Sequence, residues 1–215
     1  MTPDAVMNYL KQHPEFFEDY ADFVSTIFIP HPHGGRAVSI GERQILTLRE
    51  KARQLEGKLR ELIEFGEEND AVSEKLHRLT LALLAARDGE TVIESLYSNL
   101  RHDFVVPHVA LRLWPGGAHP QLPEFDEVSA ESRDFAESLG NPYCSAHAMV
   151  DTADWFGEQV SPLRSFAYVA LRGERAFGLL AMASEDAQRF YPEMGTLYLK
   201  RLGELTAAAL RRHLA

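Results

Sequence analysis

The sequence contains one cysteine, Cys144, among its 215 residues. A lone cysteine excludes an internal disulfide and a zinc site built from several cysteines, and it agrees with a reducing compartment. No apolar run approaches the eighteen or so residues that a membrane span needs. Residues 1–10 lack the basic start and apolar middle of a signal peptide. We therefore expect a cytoplasmic protein without membrane contact.

Positive charge is scarce as well. The chain has 22 Lys and Arg residues against 32 Asp and Glu residues, which gives a formal net charge of −10 at pH 7. No overall positive field would attract phosphates, so the composition disfavours a nucleic-acid partner. Because 45% of the residues are hydrophobic, the chain can build one good core plus an extension, or two small domains.

Catalytic signatures are absent from the sequence. It contains no G-x-S-x-G, H-E-x-x-H or G-x-x-x-x-G-K-[ST] pattern. His31 and His33 form an H-x-H pair, but the sequence indicates no further metal ligand to accompany them. Gly34-Gly35 follows no strand and precedes no lysine, which is typical of a linker and not of a phosphate-binding loop. These absences predict a protein that is not an enzyme and that holds no cofactor.

Residues 1–38 are predicted to form a cap of short helices and a linker. Thr2-Pro3-Asp4 is a typical helix start, with a hydroxyl N-cap and a proline at the first helical position. Pro14 ends this helix and can open another one, which carries an aromatic and aliphatic stripe. Pro30 and Pro32 then forbid continuation of the helix, because proline lacks an amide proton.

Residues 39–87 are predicted to form a long helix that dimerises as a coiled coil. The stretch has no proline, begins with a capping box at Ser39–Glu42, and repeats apolar or small residues in steps of three and four. At about 1.5 Å per residue, such a helix is roughly 70 Å long and cannot bury its stripe on a small domain alone. We expect a second copy to cover it through Ile45, Leu48, Leu55, Leu59, Leu62, Phe65, Asn69, Val72 and Leu76.

The polar stretch from Gly66 to Asp70 interrupts this seam and leaves two interpretations open. Asn69 at a core position could fix the register and the number of strands, at some cost in stability. Alternatively, the stretch marks a break at which a second helix begins. Two successive steps of three, from Leu59 to Phe65, also form a stammer that locally overwinds the supercoil.

Residues 88–215 are predicted to form an α+β domain. Asp88 can cap a helix, the period then changes to that of a strand from Val105, and a short helix follows at Ser129 to Leu139. A hairpin of two apolar strands, SFAYVALR and AFGLLAMAS, precedes a last helix. This order fits a mainly antiparallel sheet with flanking helices.

Several stretches resemble known families. The ending from SFAYVALR to the last helix resembles the C-terminal half of a GAF domain. The words YLKQHPEFFEDY, IPHPHGGRAVSIGERQ, EENDAVSEKLHRL, NPYCS and RFYPEMGTLYLKRLGE resemble the bacterial family of domain of unknown function 484. The resemblance spans nearly the whole chain. It implies a GAF-like fold, related to profilin and PAS domains, behind an N-terminal helical segment, often as a dimer, and it implies no known reaction.

A GAF resemblance also implies a pocket between the sheet and the irregular segment that crosses it. The candidate ligand-binding residues are Arg112, His147, Trp155, Phe156 and Tyr168. Aromatic walls with a few polar groups are typical of sites for small ligands, but an ordinary filled core has the same composition. Both interpretations remain open at this point.

Cys144 and His147 are the only cysteine and histidine close together in the sequence. An imidazole near a thiol can lower the pKa of the thiol and activate it. A buried structural thiol is the alternative, since three residues of separation in an irregular stretch indicate little. His147, Asp151 and Asp154 match no strict metal motif.

We expect a non-enzymatic, homodimeric GAF-like module with a signalling, regulatory or protein-interaction role. It would relay events in its C-terminal domain through helix packing to an unidentified protein partner. The alternatives are a sensor that binds a nucleotide or metabolite in the GAF pocket, and a thiol enzyme that uses Cys144.

Overall fold

The computed structural model describes residues 2–29, 38–114, 122–157, 162–192 and 195–214. The chain divides into two compact units, residues 1–66 and residues 67–215. Within the described ranges, no helix is both long and apolar enough to cross a membrane. The histidine pair and the Gly34-Gly35 linker lie outside these ranges.

The first unit begins with three short helices, α1 (Pro3–Gln12), α2 (Phe16–Asp19) and α3 (Ala21–Thr26). Two short antiparallel strands follow, β1 (Phe28–Ile29) and β2 (Val38–Ser39). The predicted start of α1 is confirmed, since Thr2 Oγ1 accepts a hydrogen bond from the amide of Ala5 at 3.4 Å. The side chains described between residues 2 and 66 are exposed or half-buried, including the aromatic stripe of α2 and α3.

Helix α4 (Ile40–Ala85) is one continuous helix of 46 residues that contributes to both units. It passes through Gly66–Asp70 without a break, so the alternative of a second helix beginning there is wrong. The physical reason is that one glycine costs a helix only about 1 kcal/mol, whereas proline, which this stretch lacks, costs about 3 kcal/mol.

The second unit contains the predicted helices and strands in the predicted order, together with a short strand and two 3₁₀ helices that the sequence did not predict. Asp88 caps the helix that follows α4, since its Oδ1 accepts a hydrogen bond from the amide of Thr91 at 2.8 Å. The elements are α5 (Gly89–His102), β3 (His108–Leu113), a 3₁₀ helix (Pro123–Phe125), α6 (Ala130–Ser138), β4 (Tyr143–Ser145), a second 3₁₀ helix (Thr152–Phe156), β5 (Ser165–Arg172), β6 (Ala176–Ser184) and α7 (Leu197–Arg211).

The four strands form one antiparallel sheet in the order β3-β6-β5-β4. Strands β5 and β6 are the predicted hairpin, and Tyr168 lies opposite Ala181 in its register. Both central strands are apolar almost throughout because each of their faces is covered. The predicted α+β class with an antiparallel sheet is confirmed.

Alternating residues of β5 face two separate hydrophobic clusters. Ala167, Val169 and Leu171 belong to the larger cluster, which also contains side chains of α5 and α7. Phe166 and Tyr168 belong to the smaller cluster on the opposite face, together with side chains of α6 and of the second 3₁₀ helix. We call this second side the aromatic face.

The last turns of α4 are part of the larger cluster. Leu76, Leu79 and Leu83 are 8%, 0% and 3% exposed, and they pack within the second unit. Leu76 is therefore a core residue of its own chain, although its heptad position is the basis for predicting it at the dimer interface. The part of the predicted seam that remains open to a second copy ends N-terminal to Leu76.

Candidate functional site

Tyr168 lies at the centre of the aromatic face. Its side chain is fully buried, and its hydroxyl accepts a hydrogen bond from the amide of Met149 at 2.9 Å and shares another with Thr152 Oγ1 at 2.9 Å. Burial raises the pKa of the Tyr168 phenol above its ordinary value. The hydroxyl thus ties the irregular segment after β4 to the sheet.

The second 3₁₀ helix supplies the outer wall of the aromatic face. Phe156 packs near Phe166, with ring centroids 6.3 Å apart. The guanidinium of Arg112 lies over the ring of Trp155, 5.4 Å from its centroid, and Arg112 Nη1 donates a hydrogen bond to the carbonyl of Leu111 at 3.0 Å. The structure therefore brings Arg112, Trp155, Phe156 and Tyr168 to one face, where the side chains pack on one another.

His147 does not join this group. Its side chain is exposed, and its amide donates a hydrogen bond to Ser145 Oγ at 3.1 Å. Across the described residues, the imidazole of His147 makes no polar or ring contact. The prediction that His147 lines a pocket with the aromatic residues thus gains no support from this geometry.

The sequence did not point to Phe135, Met149 or Thr152 as members of this face. Phe135 in α6 meets Tyr168 edge to face, with centroids 5.4 Å apart. The hydroxyl of Thr152 also donates to the carbonyl of Met149 at 2.6 Å. Residues 141–157 show no clear hydrophobic period, so no sequence pattern pointed to Thr152. The signal that identifies Thr152 is its complete burial, which only the structure shows.

The two aspartates considered as metal ligands have different surroundings. Both are exposed, but Asp151 accepts a hydrogen bond from the buried hydroxyl of Ser132 in α6. Among the residues that the structure describes, no group of three or more His, Cys, Asp and Glu side chains could hold a metal ion.

Cys144 lies in β4 and is buried in the larger cluster. Burial raises the pKa of its thiol, which lowers the thiolate fraction near neutral pH. An activated nucleophile has a lowered pKa or an adjacent general base. The surroundings of Cys144 are therefore those of a structural thiol.

The other candidate surface is the α4 ridge, which we define as the apolar heptad side chains from Ile45 to Phe65. Leu48, Leu55 and Leu62 are 64%, 67% and 66% exposed. Apolar side chains at this spacing on one exposed helix are typical of an interaction surface. The members of the ridge in order are Ile45, Leu48, Leu55, Leu59, Leu62 and Phe65.

C-terminal to the ridge, the predicted seam gradually becomes part of the second unit. The side chain of Asn69 is exposed, while its carbonyl accepts a hydrogen bond from the hydroxyl of Tyr198 at 3.2 Å. Val72 is half-buried, and Leu76 is buried. The same heptad pattern thus runs from the exposed ridge into a part of the helix that is buried in its own chain.

Comparison with solved structures finds a GAF domain and a chromophore-binding domain. The chain is similar to the GAF domain of the potassium sensor histidine kinase KdpD from Escherichia coli, with 18% identity, a TM-score of 0.41 and coverage of 65% of this chain and 93% of that one. It is also similar to the chromophore-binding domain of the bacteriophytochrome RpBphP3 from R. palustris, with 14% identity, a TM-score of 0.38 and coverage of 67% and 60%.

Comparison of sequences confirms the resemblance to the family. The chain is 24% identical over 219 residues to the uncharacterized protein YigA of Salmonella typhimurium strain LT2, covering 97% of this chain and 90% of that protein. Residues 1–215 match the model of the family described as "Protein of unknown function, DUF484". The chain belongs to the DUF484 family.

Proposed function

We propose that the protein is a non-enzymatic, homodimeric GAF-like module with a regulatory role, in which α4 pairs with its copy. The observation that carries this proposal is the exposure of the α4 ridge. Its large apolar side chains are about half to two-thirds exposed in the single chain. Fully burying a leucine or phenylalanine side chain contributes about 1.5–3 kcal/mol.

The number of apolar side chains on the ridge supports pairing with a second copy. Association costs roughly 4–15 kcal/mol in lost translational and rotational freedom. The ridge of each copy would contribute several such side chains, which together offset a cost of this order. A second copy is the occupant that suits the ridge, because heptad spacing matches the knobs-into-holes packing of another helix with the same repeat.

Helix α4 gives the dimer a means of regulation. Its N-terminal part carries the ridge, and its last turns, with Leu76 to Leu83, lie in the core of the second unit. An event that repacks this core would therefore act on the helix that also carries the interface. We infer a cytoplasmic module that passes such a change to a protein partner.

The alternative functions receive less support from the geometry. The aromatic face is occupied by its own side chains around Tyr168, which favours the interpretation of a filled core over that of a ligand pocket. The buried thiol of Cys144 has a raised pKa, which argues against a thiol enzyme.

Charged substitutions on the ridge test this proposal. Replacing both Leu55 and Leu62 by lysine places charges at the centre of the paired helices, and we expect light scattering to show a monomer. The matched control replaces Gln54 by lysine and Glu61 by glutamine, which adds the same net charge away from the seam. The control should remain dimeric. Equal masses for the two double variants would contradict the proposal.

A further inference from the structure

A cavity of about 290 Å³ lies on the side of the second unit where α7 crosses the end of β5. Its walls are one face of α7, the end of β5 and the loop between α6 and β4, which contributes Asn141. It is distinct from the aromatic face, because α7 packs on the opposite side of the sheet. Its volume is close to the lower limit for pockets that hold small molecules.

The cavity exists because small residues line α7 and because β4 is short. Gly203, Ala207 and Ala208 recur at helical spacing on the wall that α7 provides. Strand β4 pairs with β5 only at Phe166–Tyr168. Beyond Tyr168, β5 continues to Arg172 without β4 beside it, which leaves room between the strand and the loop.

Cations dominate the lining, although the chain as a whole has a net charge of −10. The cavity is lined by Arg172, Lys200 and Arg211, against one carboxylate, Glu204. Arg172 is already paired with Glu137, 3.0 Å away. The two remaining cations, Lys200 and Arg211, carry two positive charges against the one negative charge of Glu204.

Lys200 and Arg211 form no ion pair within the described ranges. Lys200 Nζ approaches only the amide oxygen Oδ1 of Asn141, at 3.5 Å. Arg211 packs beside Gly173 and forms no ion pair with a described residue. Eleven residues separate the two on α7, so their backbones are about 16 Å apart along the helix. Both side chains line the same cavity.

We propose that this cavity binds a small anion that carries carboxylate or phosphate groups. Lys200 and Arg211 provide the charge, because both are strong donors to such oxygens. Asn141 Nδ2 is a neutral donor beside them. The small residues of α7 provide the space, and Glu204 opposes highly charged ligands. This proposal does not depend on dimerisation, since every residue named belongs to the second unit of one chain.

Titrations with succinate and with inorganic phosphate test the proposal and separate the two chemistries. We expect at least one probe to shift the amide NMR signals of residues 139–142 and 200–211 in a saturable way, beyond the effect of sodium chloride at equal ionic strength. A response to succinate alone identifies a carboxylate site, and a response to phosphate alone identifies a phosphate site. Absence of a saturable response to both probes overturns the proposal.

Substitutions within α7 distinguish a site from general attraction. Lys200→Gln and Arg211→Gln should each weaken binding about tenfold, since a hydrogen bond to a charged group is lost. Glu204→Gln should strengthen binding severalfold, because the opposing charge is removed. Arg201→Gln is the control, since its guanidinium lies over the Tyr198 ring and outside the cavity lining.

All of these side chains are exposed, so the variants should fold, which circular dichroism checks. Lys200→Gln should weaken binding and Glu204→Gln should strengthen it. A general loss of structure would not produce these opposite changes in affinity. Equal weakening by Arg201→Gln and Lys200→Gln would show nonspecific attraction and would overturn the proposal.

Discussion

Gly203 of α7 packs against Val169 of β5 so closely that a Cβ atom at position 203 would lie 2.3 Å from Val169 Cγ1. No side chain fits there unless the Val169 side chain, the helix or the strand moves. This contact sets the distance between α7 and the sheet, and it also forms one wall of the proposed anion cavity.

We predict that Gly203→Ala lowers the free energy of unfolding by about 1–3 kcal/mol, the usual cost of overpacking. The loss should exceed the gain of about 1 kcal/mol that alanine brings to a helix interior. Urea denaturation measures the change. Gly195→Ala is the control, because a Cβ there meets no atom within 4 Å. It should be neutral or slightly stabilising, and an equal loss in both variants would contradict this role of Gly203.

The hydroxyl of Tyr168 is predicted to stabilise the second unit. Tyr168→Phe leaves the amide of Met149 and the hydroxyl of Thr152 without this buried partner. We expect a loss of about 1–3 kcal/mol in the free energy of unfolding. Tyr143→Phe serves as the control, since that side chain is 43% exposed. If the two variants lose equal stability, the Tyr168 hydroxyl does not hold the irregular segment to the sheet.

Glu137 is predicted to make stability depend on pH. A hydrogen bond from the amide of Ala176 and the charge of Arg172 hold the pKa of Glu137 below its ordinary value of about 4.5. The unfolded chain therefore takes up a proton more readily than the folded chain. The stabilising contribution is present above about pH 4.5 and is lost as the pH falls below it.

Thermal unfolding at a series of pH values measures this effect. Glu137→Gln should lower the melting temperature most at neutral pH, and the difference from the unsubstituted protein should shrink in acid. Glu127→Gln, at an exposed position, should produce a small difference that changes little with pH. A difference for Glu137→Gln that grows in acid would show that the pKa of this carboxyl is raised by folding, which is the opposite of the predicted direction.

Cys144 is predicted to be unreactive in the folded protein. Its burial both blocks reagents and disfavours the thiolate. A thiol-specific reagent at pH 8 should therefore label native Cys144 much more slowly than the same protein in denaturant. Native labelling as fast as that of the unfolded chain would reopen the interpretation of an active thiol.

Local patterns in the sequence predicted the helices and strands of the second unit well. Asp88 caps its helix as expected, a short helix begins after Ser129 as expected, and the apolar strands β5 and β6 form the expected hairpin. These features depend on neighbours in the chain, so propensity and capping chemistry are sufficient to find them.

The heptad pattern of α4 predicted the helix but not what covers each part of it. Leu62 and Leu76 both belong to the predicted apolar seam, yet Leu62 is exposed and Leu76 is buried in its own chain. Periodicity shows that one face of a helix is apolar. Which surface covers that face depends on long-range packing, which the sequence pattern does not contain.

The sequence also indicated only part of the candidate ligand site. The structure places Arg112, Trp155, Phe156 and Tyr168 on one face and leaves the exposed His147 apart from them. The partners of the Tyr168 hydroxyl come from a segment without a hydrophobic period, so no pattern pointed to Thr152. The cavity beside α7 depends on the early end of β4 and was not predicted.

The solution mass of the unsubstituted protein tests the central claim most directly. Light scattering coupled to size-exclusion chromatography should yield twice the chain mass of 24.2 kDa across a dilution series through the micromolar range. A mass of 24.2 kDa throughout that range would show that the α4 ridge remains uncovered and would contradict the proposed dimer.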